Sequence, residues 1–266
     1  VREVNHAINC NFCHDPHNAK PRIVRDALID ALERKDMPTV YTDVAAHTTK
    51  IDVKDAGVRG FTRKIAYMEK SDSNRMCAQC HVEYVCNPGV DAKTGAKIGM
   101  DNRLTNHFPF VNADQIEDYY DKIGYRDFKH SLTGALLVKM QHPDFETFMG
   151  SKHEKAGATC QSCHMPKVTN EKTGKTYTLH WATSPRHYIK ETCLTCHKDK
   201  TEAQMEKSID AMHAYYDGKV REVESRMNDM FNAFELALAQ GVDEKTLDEA
   251  RKLHSTAHIN WEYWTA

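Results

Sequence analysis

Apolar residues recur every three or four positions along residues 201–240, which is the period of one face of an α-helix. The stripe contains Met205, Ile209, Met212, Tyr216, Val220, Val223, Met227, Met230 and Phe234. It predicts a helix of about 40 residues, roughly 60 Å long. We expect Gly241 to cap the end of this helix and Asp243 to begin a second helix over residues 244–264.

A stripe of this length must be buried against another surface. Packing on the rest of the chain and a homodimer interface both fit the pattern, and the pattern alone does not decide between them. Residues 201–266 are therefore interpreted as a long C-terminal helix hairpin and a candidate dimer interface.

The pattern is weaker before residue 200. Residues 21–35 and 112–138 look helical, with the clearest period in "ADQIEDYYDKI". Residues 38–60 and 77–110 lack a period and are expected to be loops, and residues 170–177 form a turn that would suit a short hairpin. Strand signals elsewhere are weak, so the predicted fold class is mainly α with few strands.

Composition and net charge limit the classes of function that the chain can have. The net charge of −2 gives no bulk attraction to nucleic acid or to a membrane surface, and we expect no nucleic-acid partner. No apolar run reaches the roughly 18 residues of a membrane helix. The chain begins at Val1 without a visible signal peptide, so we interpret it as a mature form or a fragment from which an export signal is gone.

Nine cysteines determine the class of protein. Eight of them form four C-x-x-C-H units: Cys10/Cys13/His14, Cys77/Cys80/His81, Cys160/Cys163/His164 and Cys193/Cys196/His197. C-x-x-C-H is the attachment signature of c-type haem, in which the two sulfurs bond the porphyrin edge and the His ligates iron. Cys86 is left over, and no role is assigned to it.

Zinc sites and disulfides are the alternatives for these cysteines. Zinc-ribbon pairs lie about 15–20 residues apart, whereas these units are separated by about 30 to 80 residues. Zinc also has no use for a His after every pair. Four haems therefore fit best, in a multihaem c-type domain over residues 1–200 that continues into 201–266 as one structural unit. Because such haems are attached outside the cytoplasm, the chain is expected to be exported to the periplasm.

Three stretches carry a family resemblance: "CAQCHVEY" (77–84), "KMQHPDFETF" (139–148) and "CQSCHMPK" (160–167). Together with the order of the haem units, they resemble the pentahaem cytochrome c nitrite reductases, which form ammonia. The resemblance covers essentially the whole chain. It implies a mainly helical homodimer joined through its long C-terminal helices. It also implies six-electron reduction of nitrite at a Lys-ligated haem, with a membrane-attached multihaem quinol dehydrogenase as electron donor.

One departure from the family is large. The family holds its catalytic haem with C-x-x-C-K, and this sequence contains no such unit. We interpret the chain as an internal fragment that lacks the N-terminal catalytic segment and the extreme C-terminus, so four haems are encoded and five are expected in the complete enzyme. A natural four-haem protein without the catalytic haem is the alternative.

The resemblance also implies axial ligands. His180 matches the distal ligand of the haem at Cys10/Cys13, and His153 that of the haem at Cys193/Cys196. The other two haems would take ligands from outside the sequence, with His187, His254 and His258 as substitutes. The remaining histidines are expected to be surface or hydrogen-bonded residues: His6, His17, His47, His107, His130 and His213.

Active-site and calcium residues follow from the same motifs. Tyr84 and His142 match the family's active-site Tyr and His, which can supply protons near neutral pH. Glu83, Tyr84, Lys139 and Gln141 resemble its calcium site, where oxygens bind a hard cation. Tyr84 and Lys139 would contribute backbone carbonyls. The alternative for Glu83 is an ordinary ion pair with Lys or Arg.

Two other functions stay open. A pure electron-transfer cytochrome is favoured by the missing C-x-x-C-K unit, and a hydroxylamine-oxidising relative would run related chemistry in reverse. Nitrite reduction is preferred, because electron transfer alone needs no calcium site.

Overall fold

Helices form most of the regular structure, which confirms the predicted mainly α class. The protein was studied as a computed structural model that describes residues 8–33, 51–55, 64–69, 73–85, 88–99 and 108–266. Cys86, His6, His47 and His107 lie outside these ranges. The helices are α1 Cys10–Cys13, α2 Asp26–Glu33, α3 Ser73–Cys77, α4 Ala113–Ile123, α5 Asp144–Phe148, α6 Lys152–Lys155, α7 Cys160–His164, α8 Glu202–Ala239 and α9 Glu244–Thr265.

The strands are short and antiparallel. Their bounds are β1 Arg22–Ile23, β2 Ile51–Asp55, β3 Lys64–Met68, β4 Gly89–Asp91, β5 Lys97–Ile98, β6 Tyr125–Arg126, β7 Phe128–Lys129, β8 Leu136–Leu137, β9 Lys167–Thr169 and β10 Thr176–Thr178. They form sheets with the orders β1-β3-β2 and β5-β4-β6, and the pairs β7-β8 and β9-β10. The β9-β10 pair confirms the hairpin expected around residues 170–177.

The long helices follow their sequence signals. Thr201 caps α8 through a capping box with Gln204, and Gly241 follows the helix with a φ of 67°. The Asp243 side chain accepts a hydrogen bond from the Thr246 amide and caps α9. Both helix predictions are confirmed.

Several loop and helix predictions were wrong. The helix expected over residues 112–138 ends at Ile123, because Gly124 takes a left-handed conformation, and β6 to β8 follow it. Strand β2 lies in the stretch 38–60 and the pair β4-β5 in 77–110, both expected to be loops. Strands of two to five residues are too short to show an alternating pattern.

The chain divides into two compact units, Val1–Met149 with Val242–Ala266, and Gly150–Gly241. These bounds differ from the division expected at residue 200. Helix α9 belongs to the first unit because its apolar residues Leu247, Ile259 and Tyr263 are buried and it packs against α4 and β8.

Two hydrophobic clusters make up the core of the first unit. One contains Ile23, Leu28, Val82 and Phe145, and the other contains residues from α4 and α9 together with Val85. Residues 83 and 84 thus lie on the stretch of chain that leads from one cluster to the other.

The α8 stripe is buried only toward its C-terminal end, at Met227 and Phe234. Met212, Tyr216 and Val223 from the same stripe are exposed. None of the described helices is long and apolar enough to cross a lipid bilayer.

Gly89 provides a test of the packing between β4 and β6. A Cβ atom at this position would overlap the Arg126 carbonyl and the Tyr125 ring. We expect Gly89→Ala to lower the free energy of unfolding by about 1–3 kcal/mol through overpacking. Gly218→Ala is the control: it lies in α8 with open space around it, and Ala should raise helix stability by about 0.5–1 kcal/mol. Denaturant unfolding measures both, and equal stability of the two variants would contradict the packing.

Candidate haem and cation sites

Each C-x-x-C-H unit forms about one turn of helix. In the first, second and fourth units, the amide of the His donates a hydrogen bond to the carbonyl of the first Cys at 2.8–2.9 Å. The third unit is helix α7 itself. Residues four apart in a helical turn lie on one face. The turn therefore presents the first Cys and the His on the same side, as attachment of one haem requires. None of the eight cysteines of the units forms a disulfide in the described part of the chain.

The fourth unit begins as a 3₁₀ turn, Cys193–Thr195, and Cys196 lies just after that turn as its C-terminal cap. The Cys193 carbonyl accepts hydrogen bonds from the Cys196 amide at 3.2 Å and from the His197 amide at 2.9 Å. The second unit has the same pair of bonds at its Cys77 carbonyl. Short helical segments often combine i to i+3 and i to i+4 bonds in this way.

Exposure also separates Cys196 from most of the predicted haem cysteines. Cys196 and Cys10 are exposed, whereas the other six thiols of the units are partly buried. Residues 195–204 are all exposed, and the Cys196 sulfur lies 3.9 Å from the Thr195 hydroxyl. Cys196 remains a predicted attachment residue on the strength of its motif.

Hydrogen bonds orient the rings of three of the four predicted haem histidines. The Nδ1 atoms lie 3.0–3.1 Å from oxygens that can only accept, so Nδ1 carries the proton and Nε2 is left to bind iron. The pairs are His14 with the Ala19 carbonyl, His81 with the Asp144 carboxylate and His164 with the Thr183 carbonyl. His180 uses its Nδ1 in the same way on the Thr178 carbonyl at 2.9 Å.

The C-x-x-C-H motifs lie together in pairs. Burial raises the pKa of the Cys13 thiol, and repulsion from nearby Cys77 and Cys80 raises it further. Burial likewise raises the pKa of Cys163, with added repulsion from the unit at Cys193 and Cys196. Each compact unit therefore holds two neighbouring haem motifs. Among the described residues, no group of three or more His, Cys, Asp or Glu side chains close enough to hold a metal ion contains a cysteine.

His153 and His197 face each other in the second unit. Their ring centroids are 6.3 Å apart and the rings are nearly perpendicular. His180 also lies in the second unit, whereas the haem assigned to it is at Cys10/Cys13 in the first, so that assignment stays a prediction.

Tyr84 and His142 lie beside the second haem motif. Their ring centroids are 5.3 Å apart in an edge-on arrangement, and the His142 ring is 6.0 Å from that of His81. The Tyr84 ring stacks on Phe108. The Nδ1 atom of His142 is buried and has no hydrogen-bond partner among the described residues. The structure thus brings together the two residues that the sequence assigned to the active site.

Glu83 is fully buried next to this pair. Its carboxylate accepts hydrogen bonds from the Tyr120 hydroxyl at 3.0 Å and the Gln141 amide at 2.7 Å. Burial raises its pKa to about 8, and repulsion from Asp127 and Glu262 adds to the shift. No salt bridge with Lys or Arg compensates its charge in the described part of the chain.

A second buried carboxylate adjoins the first. Oε1 of Glu146 in α5 accepts a hydrogen bond from the Glu83 amide at 3.2 Å, while its buried Oε2 has no partner within the described ranges. Burial raises the pKa of Glu146 well above its usual value. Two adjacent buried carboxyls, one with an unpartnered oxygen, fit a site for a hard cation.

The segment 139–141 lies within this acidic cluster. Its three consecutive amides each donate to a different carboxylate. The pairs are Lys139 with Asp127, Met140 with Glu262 and Gln141 with Glu83. Lys139 and Gln141 are thereby brought to Glu83 and Tyr84, as the predicted calcium site requires.

Sequence reasoning missed several residues of this cluster. Tyr120, Asp127, Glu146 and Glu262 come from distant segments, and only Glu146 carried a local signal, as an acidic residue beside buried Phe145 in "DFETF". Three histidines also form an unexpected group: His254 is fully buried, with His130 and His258 next to it. Burial and these two neighbours lower the pKa of His254 to about 4. His187 is exposed.

The paired haem-attachment turns on a helical scaffold define a multihaem c-type cytochrome. Residues 1–266 match the family described as cytochrome c552, and the chain belongs to that family.

The chain is similar to curated relatives named cytochrome c-552. It is 30% identical over 279 residues to the protein of Haemophilus influenzae strain Rd, covering 99% of this chain and 46% of the relative. It is 28% identical over 279 residues to that of Parabacteroides distasonis, covering 100% of this chain and 46% of the relative. The chain spans about half the length of the curated relatives it matches.

A solved structure shares the fold. It is the catalytic subunit NrfA of the cytochrome c nitrite reductase from Desulfovibrio desulfuricans, which has two calcium sites. The TM-score is 0.70 at 24% identity, and the match covers 96% of this chain and 50% of that one. At this identity the likeness establishes the fold.

Glu83 gives a pH-dependent test of the cation site. Its raised pKa means that, without a cation, its contribution to stability is complete below pH 4.5 and is lost as the pH rises through about 8. A bound cation replaces the proton. At pH 8 we expect calcium at a hundred times its Kd to raise the Tm of the chelator-treated, haem-loaded protein by about 5–10 °C, and much less at pH 5.

The matched variants are Glu83→Gln, which removes the charge, and Glu235→Gln, which alters an exposed Glu of α8. Calorimetry with and without calcium should show no calcium response in Glu83→Gln and a normal one in Glu235→Gln. A full response in Glu83→Gln would place the cation elsewhere.

Proposed function

We propose that this chain is part of an enzyme that reduces nitrite to ammonium with six electrons and eight protons. The observation that carries the proposal is the pairing of Tyr84 with His142 at 5.3 Å, directly beside the haem-ligating His81. A haem held by His81 would then lie beside two polar side chains that can donate hydrogen bonds.

Nitrite reduction requires that two N–O bonds break while protons arrive. The Tyr84 hydroxyl can donate a hydrogen bond to a substrate oxygen. The Nδ1 atom of His142, which has no hydrogen-bond partner among the described residues, can hold or deliver a proton. The proposal includes a fifth haem with a Lys ligand, for which the 266 residues contain no C-x-x-C-K unit.

Glu83 and Gln141, with the carbonyls of Tyr84 and Lys139, would hold calcium. Glu146 fits as a further acidic residue of this site, because its Oε2 lacks a partner beside Glu83. Calcium when bound supplies positive charge near a pocket that receives an anion. The chain's own part is to fix Tyr84 relative to His142 by tying residues 83–84 to 139–141.

His153 and His180 would be distal ligands of two haems. The ring centroids of His153 and His197 are 6.3 Å apart, which supports the proposal that both imidazoles would hold the same haem. His180 is supported by its Nδ1 hydrogen bond, which leaves Nε2 for iron.

The proposed assembly is a periplasmic homodimer that receives electrons from a membrane-attached multihaem quinol dehydrogenase and is held near the membrane by that partner. The exposed part of the α8 stripe, with Met212, Tyr216 and Val223, supports the dimer.

An electron-transfer cytochrome is the second candidate function. The observation in its favour is the absence of C-x-x-C-K from the sequence. A haem count with the intact mass of the native protein separates the candidates: five haems on a longer chain support the enzyme, and four low-spin haems on 266 residues support electron transfer alone.

Substitutions at Tyr84 and His142 in the complete enzyme test the reaction. We expect Tyr84→Phe and His142→Ala each to lower nitrite turnover by about 10²–10⁴-fold, the usual contribution of a group that positions or transfers protons. The other haems should remain reducible by dithionite. The exposed Tyr177→Phe and His213→Ala serve as controls with normal turnover. Wild-type turnover in both site variants would end the assignment.

The axial role of His153 has a spectroscopic test. Replacing it with Ala should convert the haem at Cys193/Cys196 from low spin to high spin, because one of two strong axial ligands is lost. The same substitution at His213 should leave every haem low spin. Electron paramagnetic resonance reads the change directly, and a fully low-spin His153→Ala variant would assign the ligand to another residue.

A further inference from the structure

Asp144 lies between two histidines of different roles. Its Oδ2 atom is 3.0 Å from Nδ1 of His81 and 4.0 Å from Nδ1 of His142. One side-chain nitrogen of each His and one carboxylate oxygen of Asp144 all lie within 4.8 Å of one another. One carboxylate oxygen therefore contacts the ligand of an electron-carrying haem and faces the candidate active-site His.

His81 differs in this respect from two other haem histidines. Its Nδ1 meets a carboxylate, whereas the Nδ1 atoms of His14 and His164 meet neutral backbone carbonyls. A carboxylate pulls the Nδ1 proton more strongly, which makes the imidazole a better electron donor to iron. A stronger donor stabilises ferric over ferrous haem and lowers the reduction potential.

The backbone holds this arrangement in place. The Phe145 amide donates to the His81 carbonyl at 2.9 Å, and the Asp144 amide donates to the His142 carbonyl at 2.8 Å. The Phe145 side chain is buried in the hydrophobic core. The start of α5 is thus joined to the haem turn on one side and to His142 on the other, so the carboxylate is aimed by main-chain contacts.

We propose that Asp144 is a positioning residue that lowers the reduction potential of the haem at Cys77/Cys80. The single negative charge of Asp144 also acts on the candidate active site through His142. The first half rests on the C-x-x-C-H unit alone. The second half rests on the proposed function, because it takes His142 as an active-site residue.

Asp144→Asn in the haem-loaded protein tests the inference. The Asn side-chain oxygen still accepts the hydrogen bond from His81, so the haem should stay low spin, while the negative charge is gone. We expect a spectroelectrochemical titration to show one haem shifted to a more positive potential and the others unchanged. Asp118→Asn, at an exposed position of α4, is the matched control and should shift none.

The result that would overturn the inference is an unchanged set of potentials in Asp144→Asn, or an equal shift of all haems, which would report a general charge effect. If Asp144→Asn fails to accumulate with full haem, Asp144→Ser is judged by the same criterion. Nitrite turnover is measured separately: a shifted potential with normal turnover in Tyr84→Phe and His142→Ala would reject the proposed function and keep the role of Asp144 at the haem.

Discussion

The buried carboxyl groups of Glu83 and Glu146 are the constraint on which the candidate site depends. Removing a carboxylate from water is costly unless donors, a proton or a cation compensate it. The compensating donors come from separate segments: the Tyr120 hydroxyl in α4, the Gln141 amide, and the Glu83 amide itself for Glu146. Satisfying two carboxylates therefore fixes three parts of the chain, and Tyr84 and His142 acquire their separation as a result.

The haem motifs obey a simpler local rule. One helical turn places a Cys and its His on the same face, and this geometry needs only five consecutive residues. What differs among the haems is the partner of Nδ1, which is a carbonyl in two cases and a carboxylate at His81. The surroundings of each turn, more than the turn itself, give each haem its individual chemistry.

Features with a local signal could be predicted from the sequence. The helices α8 and α9 follow from the apolar stripe, Gly241 and Asp243, and the haem positions from C-x-x-C-H. Features without such a signal could not. The exposure of Cys196 depends on the polar residues around its turn, which the motif does not describe. Asp127 and Glu262 join the cluster only through contacts with residues 139 and 140, which no local pattern encodes.

The contact of Glu262 with the Met140 amide has a consequence for the order of folding. It joins residues 122 positions apart, and Glu262 lies in the last turn of α9. Closing so long a loop costs chain entropy that only the completed contacts recover, which slows the step. The haem turns can form locally as soon as each segment is available, whereas the acidic cluster must wait for α9. We therefore expect the haem turns to form before the acidic cluster during folding.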